Sequence, residues 1–344
     1  MASAPQGFHR NIIDFCIFAN CIHKHRREGG FSSKSQHIIT NTKHYYVRFA
    51  YSRLCSDLAS HGLVVAAVEH RDGSAAATFV VEEEQKKTWI PYRKILETEK
   101  EYTVRNEQLH QRVEEVRRCL DVVIQLGKGE PVENILPDAD QFDLAMLKGA
   151  IEFSRPVMAG HSYGGATTLM TLAMEERFHH GLALDSWLFP LKDEVALPKQ
   201  PIVFINTESF MNRDNIARMK TFLKDGKDKD RRMIFVKGSV HQNLIDGPLI
   251  FNPGIVKRIM GFQSETSPLL VLDLYAKLML HFIYQHLDLQ VDKDIVSFLE
   301  HHESILVEAS EDTIGGDDAD LGNITGVVVD KEEEENNKDT EKTS

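Results

Sequence analysis

Residues 157–169 read VMAGHSYGGATTL: an apolar run, then Gly160-His161-Ser162-Tyr163-Gly164, then small residues that open a helical pattern. A serine between two glycines, at the point where a strand becomes a helix, marks a turn so tight that the hydroxyl stands out as a nucleophile. The pentapeptide alone is a weak signal, since glycine and serine are common enough for it to arise by chance. Its context has to decide.

Working outward, YSRLCSDLASHG (residues 51–62) reads as a short helix ending at Gly62, followed by the buried strand LVVAAVEH. Leu109, Val113, Val116, Leu120 and Val123 recur at spacings of three and four, which predicts a long helix with a core-facing stripe closing near Gly127. Residues 73–100 are polar with little periodicity, and LAMLKGAI predicts a further helix before the strand PVMAG. Beyond the serine, the apolar runs GLALD, PIVFIN and MIFVKG predict three strands, with the helical pattern DNIARMKTFL between the last two. A final long helix starts with Ser267 as N-cap and Pro268 as first helical residue, and runs to about Leu287. Strands alternating with helices imply a mostly parallel sheet covered on both faces.

The 344 residues carry a formal net charge of -12. From Glu308 onward there are 13 acidic and 3 basic residues, a net of -10, which leaves the body near neutrality. The acidity belongs to a tail that reads as disordered, and no nucleic-acid partner is expected. Cys16, Cys21, Cys55 and Cys119 lack the spacing of a zinc site or disulfide framework, so free thiols in a reducing, cytoplasmic compartment are expected. The run IIDFCIFANCI is interrupted by Asp14 and followed, not preceded, by HKHRR, which argues against a signal peptide. Asp273 and Lys277 argue against a bilayer span in the last long helix.

A serine hydroxyl is a weak nucleophile near neutral pH. It needs an imidazole to take its proton and a carboxylate to orient that imidazole. In this architecture the chain order is Ser, then Asp or Glu, then His. Asp185 directly follows GLAL, Glu208 follows PIVFIN, and His241 lies just beyond MIFVKG. Periodicity does not choose between Asp185 and Glu208. No ligand-spaced cluster of His, Asp and Glu suggests a metal, and a triad needs no metal or cofactor.

The stretches GHSYGGAT, ALDSWLFPL, FINTE and GSVHQN resemble those of the calcium-independent platelet-activating factor acetylhydrolases. So do ASHGLVVAAVEHRDGSAA, WIPYRK, VRNEQLHQRV, NILP and LKG, and the likeness is closer to the intracellular type II branch than to the plasma enzyme. It runs from about Tyr51 to about Leu306. It implies an α/β-hydrolase fold and removal of short or oxidised acyl chains from the sn-2 position of phospholipids. Carried over motif by motif, Ser162 is the nucleophile, Asp185 orients the imidazole, His241 is the base, and Glu208 becomes a surface residue. The resemblance also gives Tyr163 N–H as an oxyanion donor, with Trp187 and Gln242 lining the acyl pocket. Glu69, His70 and Arg71 read as a structural network near the site. Leu244, Ile245, Leu249, Ile250 and Phe251 read either as core or as an apolar patch for peripheral membrane contact.

The chain departs from the family at one point. A Ser-His-Gly-Leu-Gly loop that supplies the second oxyanion donor is missing, and TNTKHYYVRFA stands in its place. The expected organisation is an atypical, poorly ordered segment over residues 1–50 with the N-terminal strands missing or replaced, a catalytic domain over 51–307, and the acidic tail over 308–344. Lowered turnover is expected from the lost donor. The alternatives are a general carboxylesterase and a catalytically inactive form with a binding role.

Overall fold

The computed structural model describes residues 15–18, 35–41, 48–81, 86–132, 143–192, 194, 197–210, 213–225, 230–251 and 261–309. The chain divides into two compact units, Met1–Pro201 and Ile202–Ser344. In the first, the described strands are β1 (Phe15–Phe18), β2 (Ser35–Asn41), β3 (Val64–Val68), β4 (Ala77–Val81), β5 (Lys87–Pro91), β6 (Ile151–His161) and β7 (His180–Leu184). Five of these form a sheet in the order β1-β3-β2-β6-β7. Only the β1–β3 pairing in this set is antiparallel.

β3 and β7 are buried at every position. Parallel strands covered on both faces have no solvent side, so their sequences run apolar without alternation, as LVVAAV and GLAL do. Helices α1 (Ser52–Ser60), α2 (Glu101–Lys128) and α3 (Tyr163–Met174) pack against this sheet. Leu109, Val113, Val116, Leu120 and Val123 on α2 are all fully buried, as their spacing predicts.

Three local readings change. LAMLKGAI forms only a 3-10 turn, Leu144–Leu147, capped by the Asp143 carboxylate on Ala145 N–H. Gly149 N–H then turns to the Gly127 carbonyl at 2.8 Å, and Ile151 already begins β6. The polar stretch after residue 73 contains the antiparallel β4–β5 hairpin, with Phe79 and Trp89 meeting edge to face at 5.4 Å. Thr78 is buried, Phe79 and Val80 are half-buried and Trp89 is 64 % exposed, so the apolar residues of the hairpin do not form one core-facing run. Within residues 1–50, β1 and β2 join the sheet, and Ile38 and Ile39 of β2 are buried.

The second unit contains β8 (Ile202–Thr207), α4 (Arg213–Asp225), β9 (Arg231–Val236), the helices Pro268–His286 and Lys293–His301, and β10 (Leu306–Glu308). β8 and β9 are parallel, and β10 runs antiparallel to β9. Pro268–His286 buries Val271, Leu272, Leu274, Tyr275, Met279, Leu280 and Ile283 as core. Among the described residues, no helix is long and apolar enough to cross a membrane. Cys55 and Cys119 are buried and not disulfide-bonded; Cys21 and the tail beyond residue 309 lie outside the described residues.

Candidate active site

In the first unit, β6 delivers Ser162 into a sharp bend. Its backbone sits at φ 59°, ψ -117°, a region that L-residues visit rarely and at a cost of about 1–3 kcal/mol. Hydrogen bonds on both sides hold it there. Ser162 N–H donates to the Leu184 carbonyl at 2.9 Å, and the Ser162 carbonyl accepts from Gly165 N–H at 2.9 Å and Trp187 N–H at 3.0 Å. Tyr163 opens α3 immediately afterwards. The bend brings α3 back so close that a Cβ on Gly160 would lie 2.0 Å from the Gly164 carbonyl oxygen. Only glycine fits at this position.

Asp185 leaves the end of β7 and is fully buried, also at positive φ, 43°. Because His161 of β6 is in register with Leu184 of β7, the parallel sheet sets Ser162 and Asp185 at neighbouring strand ends. Trp187, two residues on, stacks on Phe189 at 5.7 Å and meets the Tyr163 ring edge-on at 5.5 Å. Tyr51, just before α1, bonds through its hydroxyl to His161 Nδ1 at 2.9 Å.

Behind the bend lies a buried polar network larger than the expected Glu69-His70-Arg71. His70 Nδ1 lies 2.7 Å from Glu115 Oε2, and Arg71 N–H also reaches the Glu115 carboxylate. Arg112 Nε donates to Asp72 Oδ2 at 2.7 Å, with both side chains fully buried. Burial, and then the Arg112 charge, hold His70 below its ordinary value; the Glu115 contact opposes them without overcoming them. For Asp72, burial acts upward, but Arg112, His70 and the bonds from Ser74 and Arg112 outweigh it and hold the carboxyl below the usual range. Asp72, Arg112 and Glu115 were missed by sequence reasoning. A signal for Arg112 and Glu115 exists, since Arg105, Gln108, Arg112 and Glu115 recur on α2 at spacings of three and four beside the apolar stripe; Asp72 has none.

In the second unit, His241 begins a 3-10 turn and is 5 % exposed. Its ring stacks on Phe210 with centroids 3.6 Å apart. Glu208 is no simple surface residue: its carboxylate accepts Gly238 N–H at 2.6 Å. Ser209 N–H donates to the Ser239 carbonyl at 3.3 Å, and Asn243 Oδ1 accepts Val240 N–H at 2.8 Å. The loop after β8 thus clamps the loop that carries the histidine. Gln242 is half-buried. Leu244 and Ile245 are core, whereas Leu249, Ile250 and Phe251 are exposed, Ile250 by 69 %. Residues 42–47, which stand where the second oxyanion loop is expected, lie outside the described residues, as do 252–260.

The family model "Platelet-activating factor acetylhydrolase, isoform II" matches residues 38–303. The chain belongs to this family. It is 38% identical to the platelet-activating factor acetylhydrolase of Bos taurus over 289 residues, 81% of this chain and 64% of that protein. It is 39% identical to the protein of that name from Canis lupus familiaris over 255 residues, 72% of this chain and 56% of that protein. The acetylhydrolase-family chain therefore matches less than two thirds of the length of these curated relatives. A ferulic acid esterase from Streptomyces cinnamoneus superposes with a TM-score of 0.54 at 16% identity, covering 74% of this chain and 67% of the esterase. With the mostly parallel sheet and flanking helices, this gives an α/β-hydrolase fold.

Proposed function

We propose that the chain is a serine ester hydrolase that removes acetyl and other short or oxidised acyl groups from the sn-2 position of phospholipids such as platelet-activating factor. The observation that carries this reading is the bend at Ser162, a non-glycine residue held at φ 59° between β6 and α3 and buried to 3 % exposure. Backbone strain of this kind clusters at active sites. Ser162 Oγ attacks the ester carbonyl while His241 takes its proton, and Asp185 orients the ring. Tyr163 N–H stabilises the developing oxyanion. His241 then returns the proton to the departing lysophospholipid oxygen, and water repeats the sequence to free the carboxylic acid.

Trp187 and Gln242 line the acyl pocket in this reading, and catalysis is assigned to residues 51–307, with 1–50 and 308–344 as flanking segments. Exposed Leu249, Ile250 and Phe251 suit peripheral contact with a phospholipid surface, reached from the cytoplasm. Loss of the Ser-His-Gly-Leu-Gly loop removes one oxyanion donor, which lowers turnover by about 10²–10³.

The test is fluorophosphonate labelling of the full chain, beside acetyl release from a short-chain phospholipid and from a soluble aryl ester. The proposal expects one adduct, on Ser162, lost in Ser162→Ala and slowed in His241→Gln, with phospholipid turnover. Turnover of the aryl ester alone makes the chain a general carboxylesterase. An unlabelled Ser162 removes the enzyme reading and leaves a binding role.

A further inference from the structure

Arg112 is fully buried in the middle of α2. Its Nε donates to Asp72 and its Nη2 to Ser74 Oγ, and Asp72 also binds the Ser74 hydroxyl and N–H. A buried ion pair is weak support for stability, because desolvation of both charges offsets their attraction and a packed apolar pair of similar volume does as well or better. Stability alone therefore does not account for Arg112.

What the pair reaches is the residue after the nucleophile. The Arg112 guanidinium carbon lies 4.2 Å from the centroid of the Tyr163 ring, over its face. Trp187 meets the same ring edge-on at 5.5 Å. The Tyr163 hydroxyl donates to the carbonyl of Arg105, two turns earlier on α2. Burial pushes that hydroxyl's pKa up, so it stays a donor at any working pH. The ring is thus held over one face by Arg112, by a T-shaped contact with Trp187 and at its tip by the Arg105 carbonyl. A side chain with two rotatable bonds fixed at three places also fixes its own Cα, and with it the direction of its N–H.

We propose that Arg112 is a positioning residue. Locked by Asp72 and Ser74, it holds the Tyr163 ring so that the Tyr163 N–H stays aimed at the oxyanion formed on the Ser162 ester. The proposal rests on Ser162 being the nucleophile. Hydrogen bonds weaken steeply as they bend, and one oxyanion donor is worth about 10²–10³ in turnover. Loosening the donor without deleting it therefore costs about 10- to 100-fold.

The test compares Arg112→Met, which keeps length and loses charge, with Arg112→Lys, which keeps charge and loses the planar fork. Both are made in a Trp89→Phe background, leaving Trp187 as the one tryptophan of the two in the chain. Arg112→Met should lower kcat 10- to 100-fold with KM within twofold. Affinity for a trifluoromethyl ketone, whose serine adduct carries an oxyanion, should weaken by the same factor, and Arg112→Lys should recover part of both. Independently of activity, Trp187 emission should shift and its quenching by acrylamide should rise in Arg112→Met. A folded Arg112→Met with unchanged Trp187 emission and quenching overturns the proposal. If Arg112→Met does not fold, Arg112→Lys decides: intermediate kcat and an altered spectrum support the proposal, and wild-type values of both overturn it. Should the parent chain show neither turnover nor a fluorophosphonate adduct, the hydrolase reading fails, while the Trp187 spectrum still reports whether Arg112 fixes Tyr163.

Discussion

In the first unit, Ser162 and Asp185 both take positive φ, 59° and 43°, with no glycine to relieve either position. In the second, the turn before His241 puts its positive φ, 66°, on Gly238. Ser162 and Asp185 therefore sit on strained strand ends, where a parallel register and main-chain hydrogen bonds over-determine the geometry. His241 sits on an unstrained loop held by side chains, with the Glu208 carboxylate on Gly238 N–H, Asn243 on Val240 N–H and the Phe210 ring against the imidazole. A strained bend gives a fixed hydroxyl. A clamped loop gives an imidazole whose position depends on replaceable contacts.

That contrast can be broken at its strongest point first. Ser162→Ala should lower ester turnover by about 10⁴-fold or more, and Asp185→Asn by about 10⁴-fold, each measured as acetyl release at saturating substrate. Gly160→Ala attacks the strain itself: the new methyl meets the Gly164 carbonyl at 2.0 Å, so the chain should lose about 3 kcal/mol in urea unfolding. Glu208→Ala attacks the clamp. It should cost about 1–2 kcal/mol of stability and lower kcat about tenfold, because the loop carrying His241 loosens while Ser162 is untouched. Full kcat in this variant would mean that main-chain geometry alone holds the histidine.

The smallest expected effect sharpens the comparison through pH. His70, held below its ordinary value of 6.5 mainly by burial, stays neutral in the folded chain while the unfolded chain takes up a proton. The unfolded state therefore binds more protons below pH 6.5, and stability should fall as pH drops from about 6.5 toward 5. Asp72, held below 3.8, contributes stability above that value and loses it as pH falls further. Thermal unfolding from pH 7 to 5 should show the first loss, and His70→Asn should flatten it in this window.

The parts legible in the sequence are those where one physical requirement dominates. The α2 stripe, the uniformly buried β3 and β7, and the glycine-flanked serine each answer to burial or to a tight turn, and each is found where the pattern puts it. The illegible parts are those where partners come from far along the chain. The β4–β5 hairpin mixes exposed Trp89 with half-buried Phe79 and Ile90, so no single apolar face marks it. LAMLKGAI has helical spacing but is cut short by the Gly149–Gly127 bond and the start of β6. Asp72, 40 positions from Arg112, looks like an ordinary surface charge until the two are buried against each other.

By itself, the sequence determined the alternation of strands and helices and the junction at Ser162, because spacing and steric room are local properties written residue by residue. Only the tertiary structure decided that Arg112 spends its charge on Asp72 and the face of Tyr163, and that Glu208 braces the histidine loop instead of standing idle at the surface. Those roles depend on desolvation and on hydrogen-bond partners that meet only after the chain has folded.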